Sequence, residues 1–137
     1  MDDSGNVGMT APSLDPVPAR VHETAMLIFK IFLRPEWDAF RAAGQTAGAP
    51  IDLADGYIHF STAAQVAETA AKYFAHHSDL VLVALEADAL GPALKWEPSR
   101  GGALFPHLYR PLHLADVVWD KSLPLGATGH IFPEGVF

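Results

Sequence analysis

A histidine and a serine two positions apart stand directly before the clearest helix start in this sequence. The segment Asp55–Thr62 reads DGYIHFST and predicts a short strand over residues 57–60. Strand alternation would point His59 and Ser61 to one side, and the helix that follows would offer N–H groups that favour phosphate or carboxylate. We therefore predict an anion or nucleotide pocket, with His59 as a catalytic residue and Ser61 and Thr62 as ligand-binding residues.

A purely structural interpretation of the same residues stays open. Thr62 and Gln65 have the spacing of a capping box, in which two side chains satisfy the first free N–H groups of a helix. Ser61 would then serve the same cap, and His59 would be a half-buried histidine bonded to a backbone carbonyl.

Residues 95–113 form a locally basic stretch in an acidic chain. They hold three of the nine bases, Lys95, Arg100 and Arg110, but only one of the sixteen acids, Glu97. Two glycines after Arg100 would let the backbone approach an anionic ligand, so we predict that Arg100 binds ligand. We predict Glu97 as a catalytic residue, either as a general base or by orienting a ribose hydroxyl. The alternative is a solvated loop with a surface ion pair worth less than about 1 kcal/mol.

Three further side chains are candidates for ligand binding. His107 and Tyr109 alternate as His59 and Ser61 do, so they could share a ligand wall or form a satisfied core edge. Lys30 lies at the centre of an apolar segment, where a buried lysine needs a partner. It could line the same cleft as His59 and bind an anion, or it could face water.

We predict no metal site. The seven histidines include no H-x-x-x-H or H-E-x-x-H pattern, and His76 and His77 end a predicted helix where positive charge is welcome. The chain has no cysteine, which excludes a thiolate metal site, a disulfide and a cysteine nucleophile.

The elements that would position these residues alternate between strand and helix in the N-terminal half of the chain and are mainly strands in the C-terminal half. This order favours an α+β fold with antiparallel pairing and two helices in the N-terminal half. We expect 45–56 to be a loop and 104–113 to be an edge strand or extended loop, because it contains two prolines. The patterns predict strands at 26–33, 57–60, 80–87, 94–97 and 116–123, and helices at 35–43 and 62–76.

Length, composition and charge limit the classes of protein. The 137 residues are half hydrophobic, which fits a single domain over 24–137 behind a disordered N-terminal tail at 1–23. The net charge of −7 is poorly suited to nucleic-acid binding. No apolar run reaches the length that spans a bilayer, and the N-terminus lacks the pattern of a signal peptide. We therefore predict a cytoplasmic protein with no nucleic-acid or membrane partner.

Four segments of the chain resemble the domain-of-unknown-function family 952, a family of small bacterial proteins. The D-G-[FY]-I-H-x-S-T-x-x-Q motif is matched at Asp55–Gln65, and the W-E-P-S-R-G-G…F-P-H-L-Y motif at Trp96–Tyr109. The resemblance covers 26–133 and departs at Arg110, where glycine is expected after the tyrosine. The segments are DGYIHFSTAAQVAETA, LVLVALEADALG, LKWEPSRGGALFPHLY and LPLGATGHIFPE.

The resemblance implies a fold similar to that of the ADP-ribosyltransferases, with two short, mainly antiparallel sheets around a cleft that holds NAD in active members. Lys30 would replace the basic residue of their first strand, and Ser61-Thr62 would match two positions of their Ser-Thr-Ser run. Their Glu-x-Glu pattern has only loose substitutes here, in Glu86-Ala87-Asp88 and Glu97.

Three functions follow from these observations and stay open at this point. The first is an enzyme that acts on NAD or a related nucleotide by ADP-ribosyl-type transfer or hydrolysis. The second is a binding module for a small anionic or nucleotide ligand, without catalysis. The third is a protein-interaction domain. The cofactor and the oligomeric state are left unassigned.

Overall fold

The first strand of the fold begins at Leu27. A computed structural model describes residues 26–137, and the predicted disordered tail at 1–23 lies outside this range. The helices are α1 Arg34–Ala43, α2 Pro50–Asp55 and α3 Ala63–Tyr73. The strands are β1 Leu27–Leu33, β2 Gln45–Thr46, β3 Ile58–His59, β4 Ser61–Thr62, β5 Leu80–Glu86, β6 Leu94–Pro98, β7 Leu104–Leu108, β8 Leu112–His113, β9 Val117–Leu123, β10 Leu125–Gly126 and β11 Gly129–His130.

The described strands form two larger antiparallel sheets and two ribbons. The first sheet has the order β4-β1-β5-β9, and the second has the order β3-β7-β6. The ribbons pair β2 with β8 and β10 with β11. The predicted α+β class with antiparallel pairing is therefore confirmed. The expectation of two sheets was incomplete, because the two ribbons were not predicted.

Apolar residues on both faces of β1 and β5 place these strands at the centre of the first sheet. On one face Ile28 and Phe32 pack with Trp37 and Phe40 of α1. The opposite face belongs to a second apolar cluster, to which α3 contributes Val66. Burial on both faces explains why these strands read as almost continuous apolar runs.

The segment 45–56 is not the loop that its glycines and prolines predict. It contains β2 and α2, so the described chain has three α-helices and the expectation of two was wrong. Pro50 occupies the first turn of α2, where its missing N–H needs no partner. Asp52 Oδ2 accepts a hydrogen bond of 2.7 Å from the Ala49 N–H, and Gly56 ends the helix in the left-handed region. The sequence does contain a signal for this helix start: Ala49 is followed by Pro50, and the carboxylate of Asp52 comes three residues after Ala49.

The strand predicted over 104–113 is shorter, and it is central rather than at an edge. β7 lies between β3 and β6 although it contains Pro106. The Pro106 carbonyl accepts from the Phe60 N–H at 3.0 Å. Since the N and O of one strand residue point the same way, the missing N–H of Pro106 faces Phe60, where β3 has ended. The ladder between β7 and β6 thus loses no hydrogen bond to this proline.

The chain changes sheets at Phe60. β3 belongs to the three-stranded sheet and β4 to the four-stranded sheet, so His59 and Ser61 lie on strands of different sheets. α3 ends at Tyr73, three residues before the predicted end at His76. Within 26–137, no helix is long and apolar enough to cross a membrane.

Candidate functional site

A cleft of about 510 Å³ lies between the two larger sheets, at the point where β1 no longer pairs with β4. β1 pairs with β5 along its whole length, but with β4 only at Ile28 and Phe29. The part of β1 from Lys30 onward therefore lies at an open sheet edge. Four of the residues predicted for the site line this cleft: Lys30, His59, Ser61 and His107.

Asp52 organises the floor of the cleft. Its side chain has no exposed surface and receives Lys30 Nζ at 3.0 Å on Oδ2. Oδ1 accepts from the His59 N–H at 3.0 Å and lies 2.6 Å from His59 Nδ1. Lys30 Nζ also donates to the His59 carbonyl at 3.2 Å. The buried lysine thus has Asp52 as its counter-charge, and its predicted role in ligand binding stays a prediction.

The network determines the ionisation of Asp52. Burial by itself would raise the pKa of this carboxyl, but the hydrogen bonds from His59 and the charge of Lys30 outweigh it. The pKa of Asp52 is lowered from 3.8 to about 2. The carboxylate therefore stays charged wherever the protein is folded at ordinary pH.

The lowered pKa of Asp52 predicts an acid-dependent loss of stability. A depressed folded-state pKa contributes stability above the unfolded value, and this contribution disappears as pH falls through the folded value. One pKa unit corresponds to about 1.4 kcal/mol, so we expect this group to account for about 2 kcal/mol between pH 5 and pH 2. Urea titrations across this window should show that fall. Asp52→Asn should lack it and the exposed control Asp38→Asn should retain it; equal pH dependence in both variants would contradict the assignment.

Gly48 leaves the space that the Asp52 carboxylate occupies. Its φ is +107°, and a Cβ at this position would overlap the carboxyl group of Asp52. Gly44 has a similar φ of +82° but open space around it, so Gly44→Ala isolates the backbone cost alone. We expect Gly48→Ala to destabilise the protein by about 1–3 kcal/mol more than Gly44→Ala, because it also forces a steric overlap. Equal denaturation midpoints for the two variants would show that Asp52 adjusts without cost.

His59 lies between two carboxylates. Nδ1 faces the buried Asp52, and Nε2 is 3.0 Å from Oδ2 of the more exposed Asp55. Nδ1 and Asp52 Oδ1 share a hydrogen bond, and the approach of Nε2 to Asp55 is a close polar contact. Both nitrogens of this predicted catalytic residue are therefore engaged.

The cleft face of the three-stranded sheet carries a row of polar and aromatic side chains. His59 pairs with His107 on β7, and His107 pairs with Lys95 on β6. Opposite residues in an antiparallel sheet present their side chains on the same face. Tyr57 stacks on His107 with 4.2 Å between ring centroids and lies 5.1 Å from Tyr109. This face therefore joins imidazole, phenol and ammonium groups.

His107 and Glu97 form a second histidine–carboxylate pair. His107 is only 3% exposed, and its Nδ1 lies 2.8 Å from Glu97 Oε1, which also accepts from the Tyr109 hydroxyl at 2.7 Å. The hydrogen bonds from His107 and Tyr109 lower the pKa of Glu97. The bond to Glu97 raises the pKa of Tyr109 to about 12, so this phenol stays protonated. Glu97 and Tyr109 therefore lie beside His107, but they are not among the residues that line the cleft.

The remaining predicted residues have different positions. Ser61 lines the cleft and its Oγ lies 2.8 Å from the Thr69 hydroxyl. Thr62 lies outside the lining, at the start of α3, where its N–H donates to Gln65 Oε1 at 3.0 Å. The helix-start interpretation therefore accounts for Thr62. Arg100 begins a 3₁₀ turn, but its side chain lies outside the described part of the structure, so its ligand-binding role stays a prediction.

The sequence interpretation missed Asp52, Asp55 and Tyr57 as site residues. Asp52 was missed because we expected a loop over 45–56 and therefore did not predict α2. Its only sequence signal is its position near the start of that helix. Arg110, the departure from the family pattern, forms an ion pair of 3.0 Å with Asp116. Within 26–137, no group of three or more histidine or acidic side chains has an arrangement that could hold a metal ion.

The fold and the cleft together define a small mixed α+β protein with a polar cavity between antiparallel sheets. The family described as "Protein of unknown function (DUF952)" matches residues 31–120, and the chain belongs to this family. The chain is similar to protein CC0527 from Caulobacter crescentus, whose crystal structure shares 55% identity and a TM-score of 0.73. That match covers 76% of this chain and 91% of CC0527.

The solution structure of CC0527 gives a similar result. It shares 55% identity and a TM-score of 0.69, over 76% of this chain and 90% of the other. No curated protein matches the chain at a significant level.

Proposed function

We propose that the cleft binds a small nucleotide-like ligand, with NAD as the first candidate, and supports acid–base chemistry at a ribosyl bond. One observation carries the proposal. Lys30, His59, Ser61 and His107 come from four different strands and line a single cleft. A volume of about 510 Å³ falls in the range of small-molecule sites, and stacked aromatic rings with a few polar groups suit a base and a ribose.

The charges of the cleft favour ribosyl chemistry over phosphoryl transfer. Among the described lining side chains, Glu36, Asp52 and Asp55 carry negative charge against the single ammonium of Lys30. Carboxylates stabilise positive charge, such as that which develops on a ribosyl carbon when its glycosidic bond breaks. The exposed Lys95, in the same row as His107, is where we place the phosphate end of the ligand.

The arrangement of two larger antiparallel sheets around this cleft also supports a relation to the ADP-ribosyltransferase-like fold. A non-catalytic binding module is the second candidate, and the position of Glu97 favours it. This carboxylate is engaged by His107 and Tyr109 and does not line the cleft, so it does not provide the free glutamate of a transferase.

Calorimetric titration tests the proposal. The wild-type protein is titrated with NAD, ADP-ribose and AMP, alongside His59→Asn and His76→Asn. Asparagine at 59 keeps an N–H donor near Asp52 but removes the aromatic ring, whereas His76 is exposed and does not line the cleft. We expect a loss of affinity of at least about tenfold in His59→Asn and none in His76→Asn, since a direct ligand contact is worth about 1.4 kcal/mol or more.

Product analysis then separates the two candidates. Chromatography of the NAD mixture should show nicotinamide and ADP-ribose if the ribosyl bond is hydrolysed, and unchanged NAD if the protein only binds it. No heat of binding with any of the three ligands would contradict the nucleotide proposal.

A further inference from the structure

One nitrogen of the buried His107 ring has no partner among the described residues. Nδ1 lies 2.8 Å from Glu97 Oε1, whereas Nε2 forms no hydrogen bond with any described residue. The ring is only 3% exposed and lines the cleft. Buried polar groups in native proteins are almost always satisfied, so an open buried nitrogen beside a cavity points to a ligand atom.

The surroundings of His107 decide which hydrogen-bonding role this nitrogen has. Glu97 Oε1 already accepts from the Tyr109 hydroxyl and, as a carboxylate, can only accept from His107 as well. Nδ1 must therefore carry the hydrogen. In a neutral imidazole with hydrogen on Nδ1, the lone pair lies on Nε2.

His59 differs from His107 in this respect. Its Nδ1 is hydrogen-bonded with Asp52 Oδ1, and its Nε2 lies 3.0 Å from Asp55 Oδ2. The ring centroids of the two histidines are 5.3 Å apart. The cleft thus contains one ring whose two nitrogens both face carboxylates and one ring with an open nitrogen.

We propose that His107 Nε2 accepts a hydrogen bond from a hydroxyl in the cleft, and accepts its proton during reaction, with Glu97 and Tyr109 as positioning residues. This inference rests on the proposed function and names its proton acceptor. The hydroxyl belongs to the attacking water of a hydrolysis or to the ribose of the ligand. Glu97, one of the two residues predicted as catalytic, acts through His107.

The proposed step balances as a hydrolysis. The proton of water passes to His107 Nε2 while the water oxygen forms a bond to the ribosyl carbon. The bond from that carbon to the leaving nitrogen breaks, and the leaving group takes the electron pair. His107 then releases the proton to solvent.

Nitrogen-15 NMR of the histidine rings tests the acceptor directly, without need of activity. At neutral pH we expect wild-type His107 to show a protonated Nδ1 and an unprotonated Nε2. Glu97→Gln removes the charge and can present an amide N–H to Nδ1, so the preference should be lost. Glu68→Gln, on the exposed face of α3, should leave it unchanged.

Addition of ADP-ribose extends the test to ligand binding. The Nε2 resonance of wild-type His107 should move upfield as it accepts a hydrogen bond, and Tyr109→Phe should reduce this shift. Hydrogen on Nε2 in the free protein would overturn the proposal. So would an unmoved Nε2 resonance in a sample where calorimetry shows ADP-ribose bound. If no nucleotide binds, the proposed function fails, and the ring protonation still decides whether His107 offers an acceptor.

Discussion

Asp52→Ala is expected to lower the free energy of unfolding by about 3–5 kcal/mol, because it leaves the buried Lys30 ammonium without its counter-charge. Lys30 is 7% exposed and would keep the His59 carbonyl and the Phe32 ring, whose centroid lies 5.7 Å from Nζ, as uncharged partners. The Ala49 and His59 N–H groups would also lose their acceptor. Urea unfolding measures the change.

Asp55→Ala is the matched control for this experiment. Asp55 also contacts His59, but its side chain is 42% exposed. Partly exposed ion pairs contribute about 1 kcal/mol or less, so we expect a correspondingly small change. An Asp52→Ala protein as stable as the Asp55→Ala protein would show that the buried pair does not organise the cleft.

Lys30→Met is expected to cost about 2–3 kcal/mol, somewhat less than Asp52→Ala. The Asp52 carboxylate loses its counter-charge in this variant but keeps the donors of Ala49 and His59, so its burial is partly compensated. Methionine preserves the length of the side chain in its apolar surroundings.

The double variant Lys30→Met with Asp52→Ala measures the coupling within the pair. Removing both partners leaves no unpaired buried charge, so its loss of stability should be smaller than the sum of the single losses by about 2 kcal/mol. Additive losses would mean that Lys30 and Asp52 act independently, contrary to their 3.0 Å contact.

The central strands and the third helix could be predicted from the sequence because each carries a local signal. β1 and β5 are apolar on both faces, and Gln65 lies at the capping distance from Thr62. Pro106 gave a misleading signal, since its effect on a strand depends on which neighbour its nitrogen faces. That direction is a tertiary property that the sequence of β7 alone does not contain.

The candidate site was predictable residue by residue but not as a network. His59, Ser61, Lys30 and His107 could be identified from their types and spacing, and they do line one cleft. Asp52 could not, because a carboxylate at a helix start usually faces water. It becomes the centre of the network only when β1 and β3 bring Lys30 and His59 to it.

The roles of the carboxylates likewise depend on three-dimensional contacts. Glu97 appeared to be a free acid in a basic stretch, but His107 on β7 and Tyr109 just after this strand lie within hydrogen-bonding distance of it. Since Glu97 is engaged by both residues, we infer that the available hydrogen-bond acceptor is Nε2 of His107. Spacing along the chain did not distinguish a catalytic carboxylate from one that orients a histidine.

Amide NMR mapping tests most directly whether the cleft is the ligand site. Two-dimensional spectra of the nitrogen-15-labelled protein are recorded with increasing ADP-ribose. The proposal predicts that the largest shifts occur at Ile31, His59, Ser61 and His107, all of which line the cleft. Shifts confined to the separate groove around Leu27, Ala64 and Val136, or no shift at any ligand concentration, would contradict it.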